Sequence, residues 1–217
     1  MKLLLTSGGI TNKSIERALF ELVGKKAEEI SVVFVPTASN VEMGDKSWFI
    51  KDLVYLQSQN FKSIDIADIS AVEEKIWKPK FEQADVIYVE GGNTFHLMEW
   101  ISKSGLASLL PKYLETKVYV GVSAGSMVAS PDLALKVSQE VYEEDLDQHE
   151  NMSALGFVDF YFLPHYNSPS IKKSEAYIRE SAKDMKAKIY VLDDESAIRV
   201  VDGEVEVISE GKWFEIN

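Results

Sequence analysis

The feature of this sequence that most constrains its fold is an alternation of short, uniformly apolar runs with longer amphipathic stretches. The apolar runs have the length and composition of buried strands, and the stretches between them place apolar residues at helical spacing. Strands that are apolar on both faces and alternate with helices are typical of a parallel sheet covered by helices on both sides. The predicted strands are residues 3–6, 32–35, 64–66, 86–89 and 118–122, and the predicted helices are residues 14–25, 45–57, 94–102 and 106–115.

The second half of the chain interrupts this alternation with an acidic segment, residues 131–151, which we interpret as an excursion over the surface. Strand signals resume in residues 157–163 and 189–192, and a further helix is predicted between them. The dipeptide Asp202-Gly203 between two alternating runs is a strong signal for an antiparallel hairpin near the C-terminus. We predict a single α/β domain over residues 1–217. The helix is predicted at residues 172–183, the hairpin strands at 197–201 and 204–208, and an additional antiparallel strand at 212–216.

Composition excludes several classes of function. The 217 residues include no cysteine, which rules out disulfides, thiolate zinc sites, iron–sulfur clusters and a cysteine nucleophile. With 35 acidic and 23 basic residues the net charge is −12, so we expect neither nucleic acid nor an anionic membrane as a partner. No apolar run approaches the roughly 18 residues that a membrane span needs, and the expected location is the cytoplasm.

The strongest functional signal is Gly121-Val122-Ser123-Ala124-Gly125, which ends a predicted buried strand and precedes a potential helix. This strand–turn–helix context is typical of a nucleophile elbow, in which small neighbours permit a tight turn and the serine projects above the strand ends. The N–H of Ala124 is then placed to stabilise an oxyanion. The alternative is a small-residue turn that only packs a helix against a strand. We favour the catalytic interpretation because both flanking elements are predicted.

A serine nucleophile needs a general base, and the chain has three histidines. His149 lies in the acidic segment, and His96 lies early in a predicted helix. His165 directly follows a strand-like run, and the end of a strand is where a catalytic base belongs in this architecture. His165 is therefore the favoured base, the alternative being a loop histidine that caps a strand.

The base in turn needs an acid that orients its imidazole ring. Asp193, Asp194 and Glu195 directly follow the predicted strand at residues 189–192. Three consecutive acidic residues usually form a solvated loop, but one of them turning inward would supply this acid. Their spacing does not decide which one.

A glycine pair, Gly91-Gly92, follows the predicted strand at residues 86–89. Two glycines let the backbone approach a ligand closely and expose N–H groups. We predict the N–H of Gly92 as the second oxyanion donor. Asn93 or Thr94 is also suited to cap the helix that follows.

Taken together, these motifs resemble the dipeptidase E and cyanophycinase family of serine peptidases. The resemblance covers nearly the whole chain. It implies a flavodoxin-like, mostly parallel sheet related to class I glutamine amidotransferases, with serine in place of their cysteine and no metal or cofactor. It also implies a Ser–His–Glu triad of Ser123, His165 and Glu195, with oxyanion donors at Gly92 and Ala124. The matching segments are Gly91-Gly92-Asn93-Thr94-Phe95, Gly121-Val122-Ser123-Ala124-Gly125, Pro164-His165 and Asp194-Glu195.

Substrate recognition departs from the family pattern. Dipeptidase E favours an N-terminal aspartate and binds its carboxylate with basic groups that include an arginine after the catalytic histidine. Residues 167–178 of this chain hold no arginine. Lys172, Lys173 and Arg179 are the candidate replacements, although we slightly favour a solvated helix start as the explanation for the two lysines. Asn93 is a further candidate for substrate contact.

We therefore predict a serine peptidase that cleaves a small peptide substrate through an acyl-enzyme. The alternatives are an amidase or esterase for another small acyl substrate, a catalytically silent binding domain of the same fold, and a nucleotide- or flavin-binding relative. The last needs a phosphate loop after the first strand. Gly8-Gly9 is a poor candidate for that loop because no G-x-G-x-x-G pattern or Walker lysine follows it.

Overall fold

A seven-stranded sheet forms the centre of the structure, a computed structural model that describes residues 1–143, 153–169, 171 and 173–217. Its strand order is β3-β2-β4-β5-β1-β8-β9. The first five strands of the chain pair in parallel, whereas β8 is antiparallel to β1 and β9 is antiparallel to β8. The strands are β1 (Lys2–Thr6), β2 (Ser31–Val35), β3 (Ser63–Ile66), β4 (Val86–Val89), β5 (Val118–Val122), β8 (Ser196–Val201) and β9 (Glu204–Ser209).

Helices cover both faces of this sheet, which confirms the predicted architecture. Apolar side chains of α1 and α2 form the core on one face, and those of α3, α4 and α5 form the core on the other. No helix in the described ranges is long and apolar enough to cross a membrane. The helices are α1 (Lys13–Val23), α2 (Ser47–Ser58), α3 (Glu74–Gln83), α4 (Thr94–Lys103), α5 (Leu106–Tyr113), α6 (Ala124–Met127), α7 (Leu135–Tyr142) and α8 (Glu175–Ser181).

A smaller sheet of β6 (Tyr161–Leu163), β7 (Ile189–Leu192) and β10 (Trp213–Ile216) lies beside the first. β6 and β7 are parallel, and β10 is antiparallel to β7. The predicted additional antiparallel strand therefore pairs with β7 and does not extend the hairpin. The small sheet, α7 and α8 share an apolar cluster of their own.

The hairpin of β8 and β9 forms where the sequence predicts it. Asp202 and Gly203 both have positive φ angles, of 49° and 92°. Two consecutive left-handed residues are what a tight two-residue hairpin turn requires. The turn chemistry therefore determines the register of this edge of the sheet.

Three helices differ from the expectations. Helix α3 was not predicted, because its sequence is highly charged and contains Pro79, but Trp77 and Phe81 bury one of its faces in the core. Helix α7 lies inside the segment expected to be an acidic excursion. Helix α8 begins only at Glu175, because the side chain of Ser174 caps it by accepting from the N–H of Tyr177. His149 and Lys172 lie outside the described residues.

The sheet brings three strand ends together. Thr6 of β1 pairs with Val122 of β5, and Val89 of β4 pairs with Gly121 of β5. The loops that follow β4, β5 and β1 therefore emerge side by side at the carboxyl edge of the sheet. In open α/β sheets this edge is where ligands bind.

Candidate active site

Ser123 lies in a strained turn between β5 and α6. Its backbone has φ 46° and ψ −107°, a conformation that residues with side chains rarely adopt. The flanking glycines are required by close packing. A Cβ on Gly121 would lie 2.5 Å from the carbonyl oxygen of Gly125, and a Cβ on Gly125 would collide with the carbonyl oxygen of Val89. This is the geometry that a nucleophile elbow needs.

His165 follows β6 and reaches across to the elbow. Its Nε2 lies 2.8 Å from Ser123 Oγ. The side chain of His165 is 27% exposed, so the imidazole is held in place but open to a substrate. The structure thus brings together the serine and the histidine that the sequence indicated separately.

The acid that contacts His165 is Asp194, in the corner between β7 and β8. His165 Nδ1 lies 2.6 Å from Asp194 Oδ1. Burial by itself raises the pKa of Asp194, but hydrogen bonds from His165 and Ser7 outweigh burial and hold that pKa below its ordinary value. Asp194 is therefore ionised at neutral pH and suited to stabilise an imidazolium ion.

Glu195 does not occupy the position that the family resemblance implied. Its side chain is exposed, and Oε2 accepts a hydrogen bond from Asn12 Nδ2 at 3.2 Å. Asp193 shapes the turn by accepting from the N–H of Glu195 at 3.1 Å and from the hydroxyl of Ser196 at 2.7 Å. This turn places Asp194 against His165 and leaves the side chain of Glu195 exposed, so the carboxylate that contacts His165 lies one residue before the one that the family resemblance implied.

Ser7 belongs to the site and was missed by the sequence analysis. It is fully buried at the end of β1 and accepts a hydrogen bond from the N–H of His165 at 2.7 Å. Its hydroxyl lies 2.9 Å from Asp194 Oδ1. Ser7 therefore fixes both the backbone of the histidine and the carboxylate. The sequence signal for Ser7 is a polar residue that directly follows a central strand. It stands beside Gly8-Gly9, which the sequence analysis weighed only as a phosphate loop.

The glycine loop after β4 packs directly against the elbow. A Cβ on Gly91 would lie 3.2 Å from Ser123 Cβ, and a Cβ on Gly92, which has φ 131°, would collide with the carbonyl of Ala38. Asn93 does not line the described part of the cavity, and its Oδ1 accepts from the N–H of His96 at 2.8 Å and caps α4. The capping role considered for Asn93 is thus the observed one.

A cavity of about 610 Å³ is lined by Ser123, His165 and the glycine loop. This volume lies within the range of small-molecule sites. Carboxylates outnumber basic groups in its lining, and within the described ranges no group of histidine and carboxylate side chains is arranged to hold a metal ion. The other charged residues of the described lining are Glu42, Lys51, Asp52, Glu90, Asp194 and Glu195.

Two of the three basic residues proposed for substrate recognition, Lys173 and Arg179, are engaged elsewhere. Lys173 Nζ lies 3.0 Å from Glu143 Oε1 and also lies over the ring of Tyr177. Arg179 pairs with Glu175 at 2.7 Å and stacks on Phe214. Neither of them lines the described part of the cavity.

Comparison with known proteins finds peptidases that are similar to this chain over most of its length. The sequence profile of peptidase family S51 matches residues 3–208. An uncharacterized peptidase of Pasteurella multocida is 32% identical over 185 residues, which cover 82% of this chain and 84% of that protein. An uncharacterized peptidase of Listeria innocua is 30% identical over 184 residues, with 81% and 82% covered. The crystal structure of a candidate peptidase E protein from Listeria monocytogenes superposes with a TM-score of 0.80 at 28% identity, over 97% of this chain and 98% of that one.

Proposed function

Because the chain belongs to peptidase family S51 and is a serine-type peptidase, we propose that it hydrolyses short peptides through an acyl-enzyme on Ser123. One observation carries this proposal. Ser123 Oγ, the His165 ring and Asp194 Oδ1 form a continuous chain with separations of 2.8 Å and 2.6 Å. Both distances lie within the hydrogen-bonding reach that a nucleophile, its base and an orienting acid require.

In the proposed mechanism Ser123 Oγ attacks the scissile carbonyl carbon while His165 Nε2 takes the hydroxyl proton. Asp194 accepts the Nδ1–H and stabilises the imidazolium ion that results. The imidazolium then protonates the leaving amine, so the C–N bond breaks and the acyl group remains on Ser123. Water, deprotonated by His165, hydrolyses this ester and regenerates the serine.

The N–H groups of Gly92 and Ala124 are the proposed donors to the oxyanion of the tetrahedral intermediate. Ala124 directly follows the nucleophile, and the adjoining Gly91 lies against Ser123. The two donors therefore approach the reacting carbonyl from different loops. Removing one such donor from a serine peptidase typically lowers kcat by about 10² to 10³-fold.

The charge of the cavity bears on the substrate. An anionic side chain near Ser123 would meet several carboxylates and one basic residue, Lys51, in the described lining. Like charges at close range disfavour binding. We therefore propose that an N-terminal aspartate is not the preferred residue. If a substrate carboxylate is bound at all, Lys51 is placed to bind it.

The test is a dipeptide library incubated with the enzyme and, in parallel, with Ser123→Ala, with released amino acids measured by mass spectrometry. We expect cleavage by the enzyme and none by the variant. Labelling by a fluorophosphonate probe, which reacts only with an activated serine, should follow the same pattern. Undiminished cleavage by Ser123→Ala would refute the nucleophile assignment. Probe labelling without any dipeptide cleavage would favour an amidase or esterase.

A further inference from the structure

We infer that Asp52 and Glu90, two buried carboxyl groups that the mechanism does not use, share one proton and together position the glycine loop beside Ser123. Both are positioning residues, because neither is assigned to the reacting atoms. The inference rests on the proposed function, since the loop is the proposed source of an oxyanion donor.

Glu90 is tied directly to the loop. It directly follows β4, is fully buried, and its Oε1 accepts a hydrogen bond from the N–H of Gly91 at 2.9 Å. Its other oxygen, Oε2, is buried, and no donor from the described residues reaches it. A buried carboxylate oxygen without a donor is costly, so this atom must be satisfied in another way.

Asp52 of α2 is the proposed partner of this oxygen. Asp52 is only 7% exposed, lines the same cavity as Glu90, and interacts with it strongly enough to shift the pKa of both carboxyl groups. Two carboxylates in buried contact cannot both be ionised, but one proton between them gives a strong hydrogen bond. A proton on Glu90 Oε2 that is donated to Asp52 satisfies the oxygen that otherwise has no donor.

The surroundings indicate where the proton resides. Burial and the charge of Asp52 raise the pKa of Glu90 well above its ordinary range. Burial also raises the pKa of Asp52, to about 6, although hydrogen bonds from Glu90 and Tyr88 oppose this rise. The Tyr88 hydroxyl lies 3.3 Å from Asp52 Oδ2. At neutral pH Glu90 is therefore the neutral donor, and Asp52 is the anion that accepts from both neighbours.

Other charged and titratable groups face the pair from two helices. Lys51 of α2 lowers the pKa of Asp52 through its charge. Tyr55 of α2 interacts with Asp52 and with Glu16 of α1, and burial followed by these charges raises its pKa. Tyr88 is fully buried with a raised pKa, so it stays a neutral donor. The proton between Asp52 and Glu90 is thus the one whose loss would leave both carboxyl groups ionised.

Loss of that proton would displace the glycine loop beside Ser123. Two ionised carboxylates repel each other, and Oε1 of Glu90 accepts the hydrogen bond from the N–H of Gly91. A Cβ on Gly91 would lie 3.2 Å from Ser123 Cβ, and Gly92 is packed against Ala38 with no room for a side chain. A displacement of Glu90 therefore changes the position of the Gly92 N–H relative to the serine. Activity should fall at alkaline pH because of this group.

The matched variants are Glu90→Gln and Glu90→Leu. Glutamine keeps both hydrogen bonds, because its amide donates to Asp52 and its oxygen accepts from Gly91, but it does not titrate. We expect Glu90→Gln to retain kcat within about 3-fold at neutral pH and to lose the alkaline fall. Glu90→Leu keeps the volume and loses both bonds. Its kcat should drop by about 10 to 100-fold with KM changed less than about 3-fold, since an oxyanion contact forms only in the transition state.

Each variant is also labelled with the fluorophosphonate probe over a range of pH, and the infrared band of a protonated carboxyl group is measured at neutral pH. We expect that band in the wild-type protein and its loss in Glu90→Gln, a readout that needs no substrate and no activity. The inference is overturned if Glu90→Gln keeps the wild-type alkaline fall, if it loses as much kcat as Glu90→Leu, or if the band is absent. A wild-type protein that resists the probe would refute the proposed function, and the inference with it.

Discussion

Replacing Asp194 by asparagine removes the charge behind the catalytic histidine while leaving the size of the side chain unchanged. In the structure Asp194 Oδ1 lies 2.6 Å from His165 Nδ1 and is also bonded to Ser7 at 2.9 Å. A neutral amide does not stabilise the imidazolium ion, and its NH₂ group, if turned toward the ring, favours the tautomer that cannot accept the serine proton. We therefore expect Asp194→Asn to fold and to lose most of its activity.

The size of the expected fall in kcat follows from the distance between Asp194 and His165. Two unit charges 2.6 Å apart interact by about 6 kcal/mol at an effective dielectric constant of about 20. The two side chains are 27% and 41% exposed, so water screens part of this energy. A remaining loss of about 4 kcal/mol in the transition state corresponds to a fall in kcat of about 10³-fold.

The assay is the initial rate of hydrolysis of the best dipeptide, with Glu195→Gln as the matched control. Glu195 is the adjacent carboxylate, but it is exposed, and its side chain bonds to Asn12. We expect its amide variant to keep kcat within about 3-fold, because an exposed interaction of this kind contributes little. Thermal unfolding of both variants checks that the fold is retained.

The reverse result would refute this assignment. If Glu195→Gln lost about 10³-fold in kcat and Asp194→Asn lost little, the acid would be the residue implied by the family resemblance. The turn around Asp193 would then have to rearrange when substrate binds.

Three further predictions concern the support of the site. Ser7→Ala should lower kcat by roughly tenfold, because the N–H of His165 and the carboxylate of Asp194 both lose a hydrogen-bond partner; an unchanged kcat would contradict this. Gly125→Ala should destabilise the fold by about 1–3 kcal/mol in urea denaturation, because the added methyl group collides with the carbonyl of Val89; full stability would show that the elbow relaxes. Glu90→Gln should gain stability relative to the wild type as the pH rises above about 5. Because the pKa of Glu90 is raised in the folded protein, the folded protein holds a proton that the unfolded chain has released. The free energy of unfolding of the wild type therefore falls by up to about 1.4 kcal/mol per pH unit. Parallel plots of unfolding free energy against pH for the two proteins would contradict this prediction.

The parts of the fold and site that the sequence predicted are those set by local pattern. The buried strands, the elbow around Ser123 and the hairpin at Asp202-Gly203 each depend on neighbours within a few residues. His165 was identified because it follows a strand, and the carboxyl ends of parallel strands share one edge of the sheet. Helix α3 was missed because its stability comes from the burial of Trp77 and Phe81 in a distant core, not from its own charged sequence.

The sequence by itself determined the type of sheet, the strained turn that presents a serine, and the presence of a base and an acid at strand ends. Only the tertiary structure decided which of two adjacent acids faces His165, because a turn built by Asp193 directs Asp194 inward. Tertiary structure alone also placed Asp52 and Glu90 in the lining of one cavity, since a residue of α2 and the residue after β4 meet there. Backbone periodicity is a local property, whereas the pairing of side chains across strand ends depends on register, turn geometry and burial, which arise only when the chain has folded.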